Sequence, residues 1–472
     1  MSREVERRVW RLPVLGLVAA LVGGAAYLDH TATAPSAARP PAPAVDLPTV
    51  APADALSAVW YCAEGTSSPD GRADETVIVG NLSARELRAT VTVMSGPDQA
   101  PQTRTLTIAP HGQQRIRVGD IEAVAEPGVV VETFGGRAVV EHELRGDSDL
   151  AIGPCTRSPS SRWYFAAGTT ARGSAQYLAV FNPFSDDAVV DVSFVTDTGL
   201  EEPPGTQALA VTRHTRVSIP IQEQVPGQSA VAAFVRTRVG RVIAERTQIF
   251  DGTQGTPGLA VSLGTTQPGP RWRIPIGSTA AGVTTSVSVA NFGVAPAEVH
   301  VSLAVDGSPP GLTQTVRVAG NTVVPVDVGG TLEAGSGYAV DVRADPAVEI
   351  VAEAFTVDSS DATGPGVATV IGTAFSARRW AIATGRPPEG DGFVDVVNAT
   401  DHAVHVSVQT AAGVTPVGGS ARLRAGERTQ FKLSELGVGP RQVLVVEGDG
   451  DIVVGSEYVG GGVSGSLAVP FD

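Results

Sequence analysis

Trp163-Tyr164-Phe165-Ala166-Ala167-Gly168 sets the reading of the whole chain, because the phrase returns three more times. Trp60-Tyr61-Cys62-Ala63-Glu64-Gly65, Trp272-Arg273-Ile274-Pro275-Ile276-Gly277 and Trp380-Ala381-Ile382-Ala383-Thr384-Gly385 each place a Gly five residues after a Trp. The 472 residues hold only five tryptophans, and four of them open these phrases; the fifth, Trp10, belongs to a different segment. Steps of 103, 109 and 108 residues separate the phrases, so the chain is a tandem array of four repeats.

Within each repeat the pattern is that of short strands. The stretch after each Trp ends in an Asn: Asn81, Asn182, Asn291 and Asn398. A second stretch alternates, with Val190, Val192 and Phe194 on one face in repeat two and Val299, Val301 and Leu303 in repeat three. Period-two alternation marks a half-buried strand. Turns bearing Gly or Pro divide further apolar runs, among them Val139-Val140-Glu141, Ile243-Ala244-Glu245, Val351-Ala352-Glu353 and Val453-Val454-Gly455. No long segment has helical periodicity. Roughly seven or eight short strands per repeat predict an all-β chain, a tandem array of four immunoglobulin-like β-sandwich domains. Their expected spans are 57–161, 162–270, 271–378 and 379–472. A propeller blade has about four strands and a shorter period, and fits less well.

Ahead of the repeats, Arg3, Arg7, Arg8 and Arg11 precede an apolar run from Leu12 to Leu28. Residues 1–28 therefore read as a signal anchor or signal peptide. The run is short for a spanning helix and long for a signal core; the preferred expectation is a retained transmembrane helix, with Ala32-Thr33-Ala34 as the cleavage site of the alternative. Residues 29–56 carry Pro35, Pro40, Pro41, Pro43, Pro48 and Pro52, a density that favours an extended spacer. The expected location is the cell membrane, single-pass with an extracytoplasmic C-terminal region, or secreted if the segment is cleaved.

A net charge of -15 and a pI near 5.0 argue against nucleic acid, whose phosphates call for a basic face. Cys62 and Cys155 both fall in repeat one, and in an exported chain they read most simply as one disulfide. Two separate buried thiols are the competing reading. No further Cys or His stands at ligand spacing for a zinc site.

Four sets of residues invite a functional reading. The repeat tryptophans Trp60, Trp163, Trp272 and Trp380 would suit carbohydrate stacking, but their recurrence in every repeat favours core packing with the indole N–H on an acceptor. Glu141, Glu245 and Glu353 resemble acid/base carboxylates. With one per repeat they are expected to lie apart, whereas glycosidic chemistry uses a pair within about 5–10 Å. They read as structural acceptors for an Arg, a backbone N–H or the indole of their own repeat, with Glu457 as a substitute where Gly455 replaces the Glu. Asn81 and Asn398 sit in glycosylation tripeptides, yet Asn182 and Asn291 do not, so turn formation by the Asn side chain is the better reading. His300 and His405 fall on the solvent face. Glu447–Asp451 and Asp358–Asp361 read as solvated acidic turns, and Arg145–Ser148 as a loop. Gly65, Gly168, Gly277 and Gly385 complete the structural set. No catalytic, cofactor-binding or metal residue is expected.

Trp-Tyr-Phe-Ala-x-Gly, Asn182-Pro183 and Ile243–Arg246, together with the basic N-terminus, apolar segment and Pro-rich spacer, resemble an actinobacterial secreted or membrane-anchored family, domain-of-unknown-function family 5719. The resemblance covers roughly 57–472, is strongest in repeat two and weakest in repeat four, and implies no catalytic residues. It implies an exported protein working beside envelope glycan assembly. The expected function is a non-enzymatic, membrane-anchored scaffold or interaction surface whose partners are the cytoplasmic membrane and an envelope protein or glycan. A polysaccharide-binding array and an enzyme are the alternatives.

Overall fold

The computed structural model describes residues 47–146, 149–308, 310–330, 332–360, 364–387 and 390–471, except the side chains of residues 312 and 313. The expected anchor over 1–28 and the spacer up to residue 46 lie outside these, as do Asp147, Ser148 and Asp361. Among the described residues no helix is long and apolar enough to cross a membrane. Residues Asp46–Asp472 form one compact unit.

The fold is all-β, with open antiparallel sheets. In repeat two, one sheet runs Thr215–Pro220, Ser174–Asn182, Ile243–Phe250, Gly258–Leu263. The facing sheet runs Leu200–Glu201, Ala188–Thr196, Val231–Val239, Arg162–Phe165. Trp163, Phe165, Leu178, Val180, Val192 and Phe194 come from both sheets and share one core, as expected of alternating strands that each bury one face. Repeats one and three repeat the plan: Gln113–Arg117, Asp74–Asn81, Ala138–Arg145, Leu150–Pro154 in one, and Thr322–Asp327, Val283–Asn291, Ile350–Asp358, Gly366–Ile371 in the other. The fold is thus β-sandwich-like.

Repeat four departs from this plan. Leu444–Val459 is one long strand that joins both layers into an eight-stranded sheet. The acidic stretch Glu447–Asp451, expected as a solvated turn, is part of it. Asp449 there accepts the His405 N–H at 2.8 Å. The glycines Gly448 and Gly450 leave space that the Val404 side chain fills, so the stretch passes under Val404 as extended chain.

The repeated residues have distinct structural roles. All four tryptophans are fully buried. Trp163, Trp272 and Trp380 donate their indole N–H to Val242, Ile350 and Ile452 carbonyls at 2.8–3.0 Å. Trp60 has no such partner among the described residues. Each Asn bridges its turn: Asn182 Nδ2 donates to the Asp186 and Val211 carbonyls, and its Oδ1 accepts the Phe184 N–H. Asn81, Asn291 and Asn398 do the same. Asn81 and Asn398 are thus buried and engaged, which is incompatible with a glycan acceptor. Gly65, Gly168 and Gly385 have φ of +123°, +153° and +62°, the region that favours glycine. Gly277 instead makes room for the Tyr338 ring, 2.5 Å from where a Cβ would stand. His300 and His405 are exposed. Cys62 and Cys155 form a disulfide across a separation of 93 residues.

Candidate functional site at the repeat junctions

The last strands of repeats one to three are Leu150–Pro154, Gly258–Leu263 and Gly366–Ile371; Val463–Leu467 is the matching strand of repeat four, where Val469–Phe471 still follows. Each packs against two of the others, the first against the second and fourth, the third against the second and fourth. The repeats therefore close in a cycle. In repeats one to three the strand beside the last strand carries the repeat Glu, which faces the Trp phrase of the preceding repeat in the cycle.

The Glu side chains join one repeat to the next. Glu245 of repeat two accepts the Ala63 and Glu64 N–H groups of repeat one at 2.9 and 2.6 Å. Glu353 of repeat three accepts those of Ala166 and Ala167 in repeat two at 2.9 and 2.8 Å. Glu141 of repeat one closes the cycle by accepting the Ala383 and Thr384 N–H groups of repeat four at 3.0 and 2.8 Å. The carboxylates are structural acceptors, as expected, but for backbone N–H groups of the neighbouring repeat. A charged acceptor roughly doubles the strength of such hydrogen bonds.

The junction between repeats three and four is built differently. Pro275 stands where the other phrases offer the first N–H and has none to give. Gly455 stands where the Glu would be. A Cβ on Gly455 would lie 2.8 Å from both Pro275 Cγ and Ile276 Cγ1. Glu457 does not substitute; burial and the neighbouring Asp395 push its carboxyl up to about 8, against the pull of Arg428. Arg428 forms this junction instead. It donates Nε to the Pro275 carbonyl at 3.1 Å and pairs with Asp306 and Asp395. Arg216 and Gln113 occupy the matching strand position elsewhere and donate to the Gly65 and Ala383 carbonyls.

A second contribution comes from the residue after Glu141 and Glu245. Arg246 donates to Glu353 at 2.6 Å, and Ser262 to the same oxygen at 2.5 Å. In repeat one the matching residue is His142, whose Nδ1 lies 3.2 Å from Glu75 and Nε2 3.6 Å from Glu245. Burial alone would lower the His142 pKa, but Glu245, Glu75 and Glu64 prevail and raise it to about 9. Burial raises Glu245 to about 7, eased by His142 and the two N–H groups. With Arg216 beside Glu64, the first junction is a buried cluster of alternating charge. Glu64, Glu75 and His142 were not singled out by the repeat pattern, since each occurs in one repeat alone, and Arg216 has an Arg equivalent only in Arg428. The sulfurs of Cys62 and Cys155 lie near His142, and the disulfide occupies both of them.

At one end of the cycle a single carboxylate stands on the axis. Asp149 accepts the N–H groups of Leu150 and Leu259 at 2.7 Å and of Val463 at 3.2 Å, and the Val367 N–H also bonds to it. These donors come from repeats one, two, four and three. Gly258, Gly366 and Gly462 hold the position equivalent to Asp149. A Cβ on Gly366 would come within 2.6 Å of the Val463 nitrogen, one on Gly258 within 2.9 Å of the Asp149 carboxylate, and one on Gly462 would overlap it. Burial pushes Asp149 up to about 7 against these four donors. At the other end, Leu47 and Pro48 of the spacer line a small cavity of about 30 Å³ together with the ends of the four strands that close the cycle.

Residues 138–258 match the model of a family of unknown function, DUF5719, which bears out the resemblance read from the sequence. The match runs from the Glu-bearing strand of repeat one to the start of the last strand of repeat two. No curated protein matches. Among solved structures, Thermotoga maritima 1070 is similar at 16% identity over 22% of this chain and 93% of that one, with a TM-score of 0.21. The Anabaena sensory rhodopsin transducer is similar at 18% identity over 20% and 90%, with a TM-score of 0.18. A tetra-tandem repeat from the extending region of a large adhesion protein is similar at 12% identity over 88% and 99%, with a TM-score of 0.13.

Proposed function

Taking residues 138–258 as part of a family of unknown function, we propose that this protein is a non-enzymatic scaffold or interaction surface of the cell envelope. In this reading four immunoglobulin-like sandwiches follow a membrane-spanning helix over 1–28, and the body stands outside the cytoplasm. The observation that carries it is the use of the repeat carboxylates. Glu141, Glu245 and Glu353 are buried and each is engaged by two N–H groups of the next repeat. A general acid or base has to reach a substrate, and these groups are committed to holding the cycle closed. The buried disulfide supports an oxidising compartment.

A polysaccharide-binding array built on the repeat tryptophans is less well supported, because all four rings lie in the core. The test is a periplasm-dependent reporter fused after residue 56, combined with crosslinking capture of the full-length chain from membranes. An active reporter and a reproducible envelope partner support the proposal; an inactive reporter removes it.

A further inference from the structure

The two junctions that flank repeat three differ in one respect that the scaffold reading leaves unexplained. Between repeats two and three, Tyr164 stacks on its cross-strand neighbour Phe234 at 4.6 Å and meets Phe292 of repeat three edge-on at 5.0 Å. Between repeats three and four the equivalent residues are Arg273, its cross-strand neighbour Asp341, and Ala399, which follows Asn398 as Phe292 follows Asn291. Three rings are thus replaced by a guanidinium, a carboxylate and a methyl group. The lost volume appears as a cavity of about 230 Å³ lined by Arg271, Arg273, Asp341, Arg343, Ala399 and Thr400 among others.

The charge of this cavity is unbalanced. Asp341 is already taken twice, by a two-pronged pair with Arg271 at 3.0 and 2.9 Å and by Arg343. Arg273 is 8% exposed, and its guanidinium makes no hydrogen bond or ion pair among the described residues. Three guanidinium groups thus face one carboxylate, in a chain whose net charge is -15. Burial, Arg271 and Arg343 lower the Arg273 pKa to about 10, with Asp341 opposing; the group is still a cation at neutral pH. The Arg273 guanidinium has no carboxylate of its own, stands between two like charges and opens onto the cavity, an arrangement that a bound anion would complete. Its planar fork suits carboxylate or phosphate oxygens. Arg271 and Arg343, with side chains 37% and 55% exposed, form the solvent-facing rim.

We propose that this cavity between repeats three and four is an oxyanion-binding site, with Arg273 as its buried anchor and Arg271 and Arg343 as its rim. The ligand is the carboxylate of a sugar acid or a phosphate group; the two share the recognition chemistry and the experiment separates them. This goes beyond the scaffold reading and does not depend on it.

The test titrates the full-length chain with sodium glucuronate, sodium phosphate and, as a neutral control, glucose, at constant ionic strength. Calorimetry and the thermal midpoint are the readouts. Binding of glucuronate alone identifies a sugar carboxylate, and binding of phosphate, with or without glucuronate, identifies a phosphate-sized oxyanion; glucose leaves the midpoint unchanged. Arg273→Tyr with Ala399→Phe, which restores the aromatic pair of the preceding junction, abolishes the response. Arg273→Lys keeps the charge and loses the fork, and weakens binding about tenfold. Absence of binding by both anions, an equal response to glucose, or an unchanged response in both variants overturns the proposal.

Discussion

Pro275 and Gly455 lie 180 residues apart in sequence and in contact in space, and each accounts for the other. The proline withholds the N–H that a glutamate would accept, and the glycine withholds the glutamate. A side chain on Gly455 would meet Pro275 Cγ at 2.8 Å. Restoring the acidic residue alone is therefore harmful. Gly455→Glu is expected to lower stability by about 2–4 kcal/mol through overpacking and an unpaired buried carboxylate. Adding Pro275→Ala restores a donor and relieves one of the two close contacts, the one with Ile276 remaining, so a double-mutant cycle in denaturant should give a coupling of about 1 kcal/mol or more. Simple additivity would show that the two positions are independent.

Glu353 has the fullest set of partners: two N–H groups, Arg246 and Ser262. Glu353→Ala leaves all of them buried and unmatched. The expected loss is about 3–5 kcal/mol, with Arg246→Ala less than additive to it. Urea unfolding of both single variants and the pair measures this.

Stability should fall as pH rises from 5 to 9. His142 at about 9, Glu245 at about 7 and Asp149 at about 7 all lie above their ordinary values. The native state then binds more protons than the unfolded chain, and stability decreases with pH wherever that holds. The His142 contribution is complete below about 6.5 and is lost as pH passes 9. The contributions of Asp149 and Glu245 are complete below about 4 and are lost as pH passes 7. Unfolding midpoints across this range in wild type and His142→Gln test it; the variant should lose the upper part of the slope.

Asp149→Gly makes all four axial positions glycine and leaves the four N–H groups without their shared acceptor. The expected cost is about 2–4 kcal/mol. Hydrogen exchange of the Leu150, Leu259, Val367 and Val463 amides should rise together. A rise confined to Leu150 would place the carboxylate outside the role described.

Reduction of Cys62–Cys155 opens a loop of 93 residues. Loop-closure entropy sets an upper expectation of about 4–5 kcal/mol. Comparing denaturant midpoints with and without reductant measures the effect.

The all-β class, the repeat count, the disulfide, the buried tryptophans and the turn-forming asparagines were legible because each is a local pattern repeated four times or a property of composition. The partners of the glutamates were not. Glu141 reaches Ala383 and Thr384 across 242 and 243 residues, and periodicity says nothing about which repeat faces which. Asp149 was invisible because its three equivalents are glycines, which read as ordinary turn residues. The acidic stretch at 447–451 looked like a loop because its glycines suggest a turn, whereas they leave room for Val404. Arg273 was quoted only as a member of the third Trp phrase; its meaning depended on Phe234 and Phe292 at the other junction.

The lone aspartate at the axis also bears on why four units share one chain. Were they four identical subunits, the position would carry either four carboxylates converging on one point or none at all. Covalent linkage lets a single copy differ from its three equivalents. The same freedom allows the junction between repeats three and four to carry a cationic cavity where the junction before it carries an aromatic cluster. A single chain thus turns a near-symmetric frame into one with an address, in which each quarter can be altered separately.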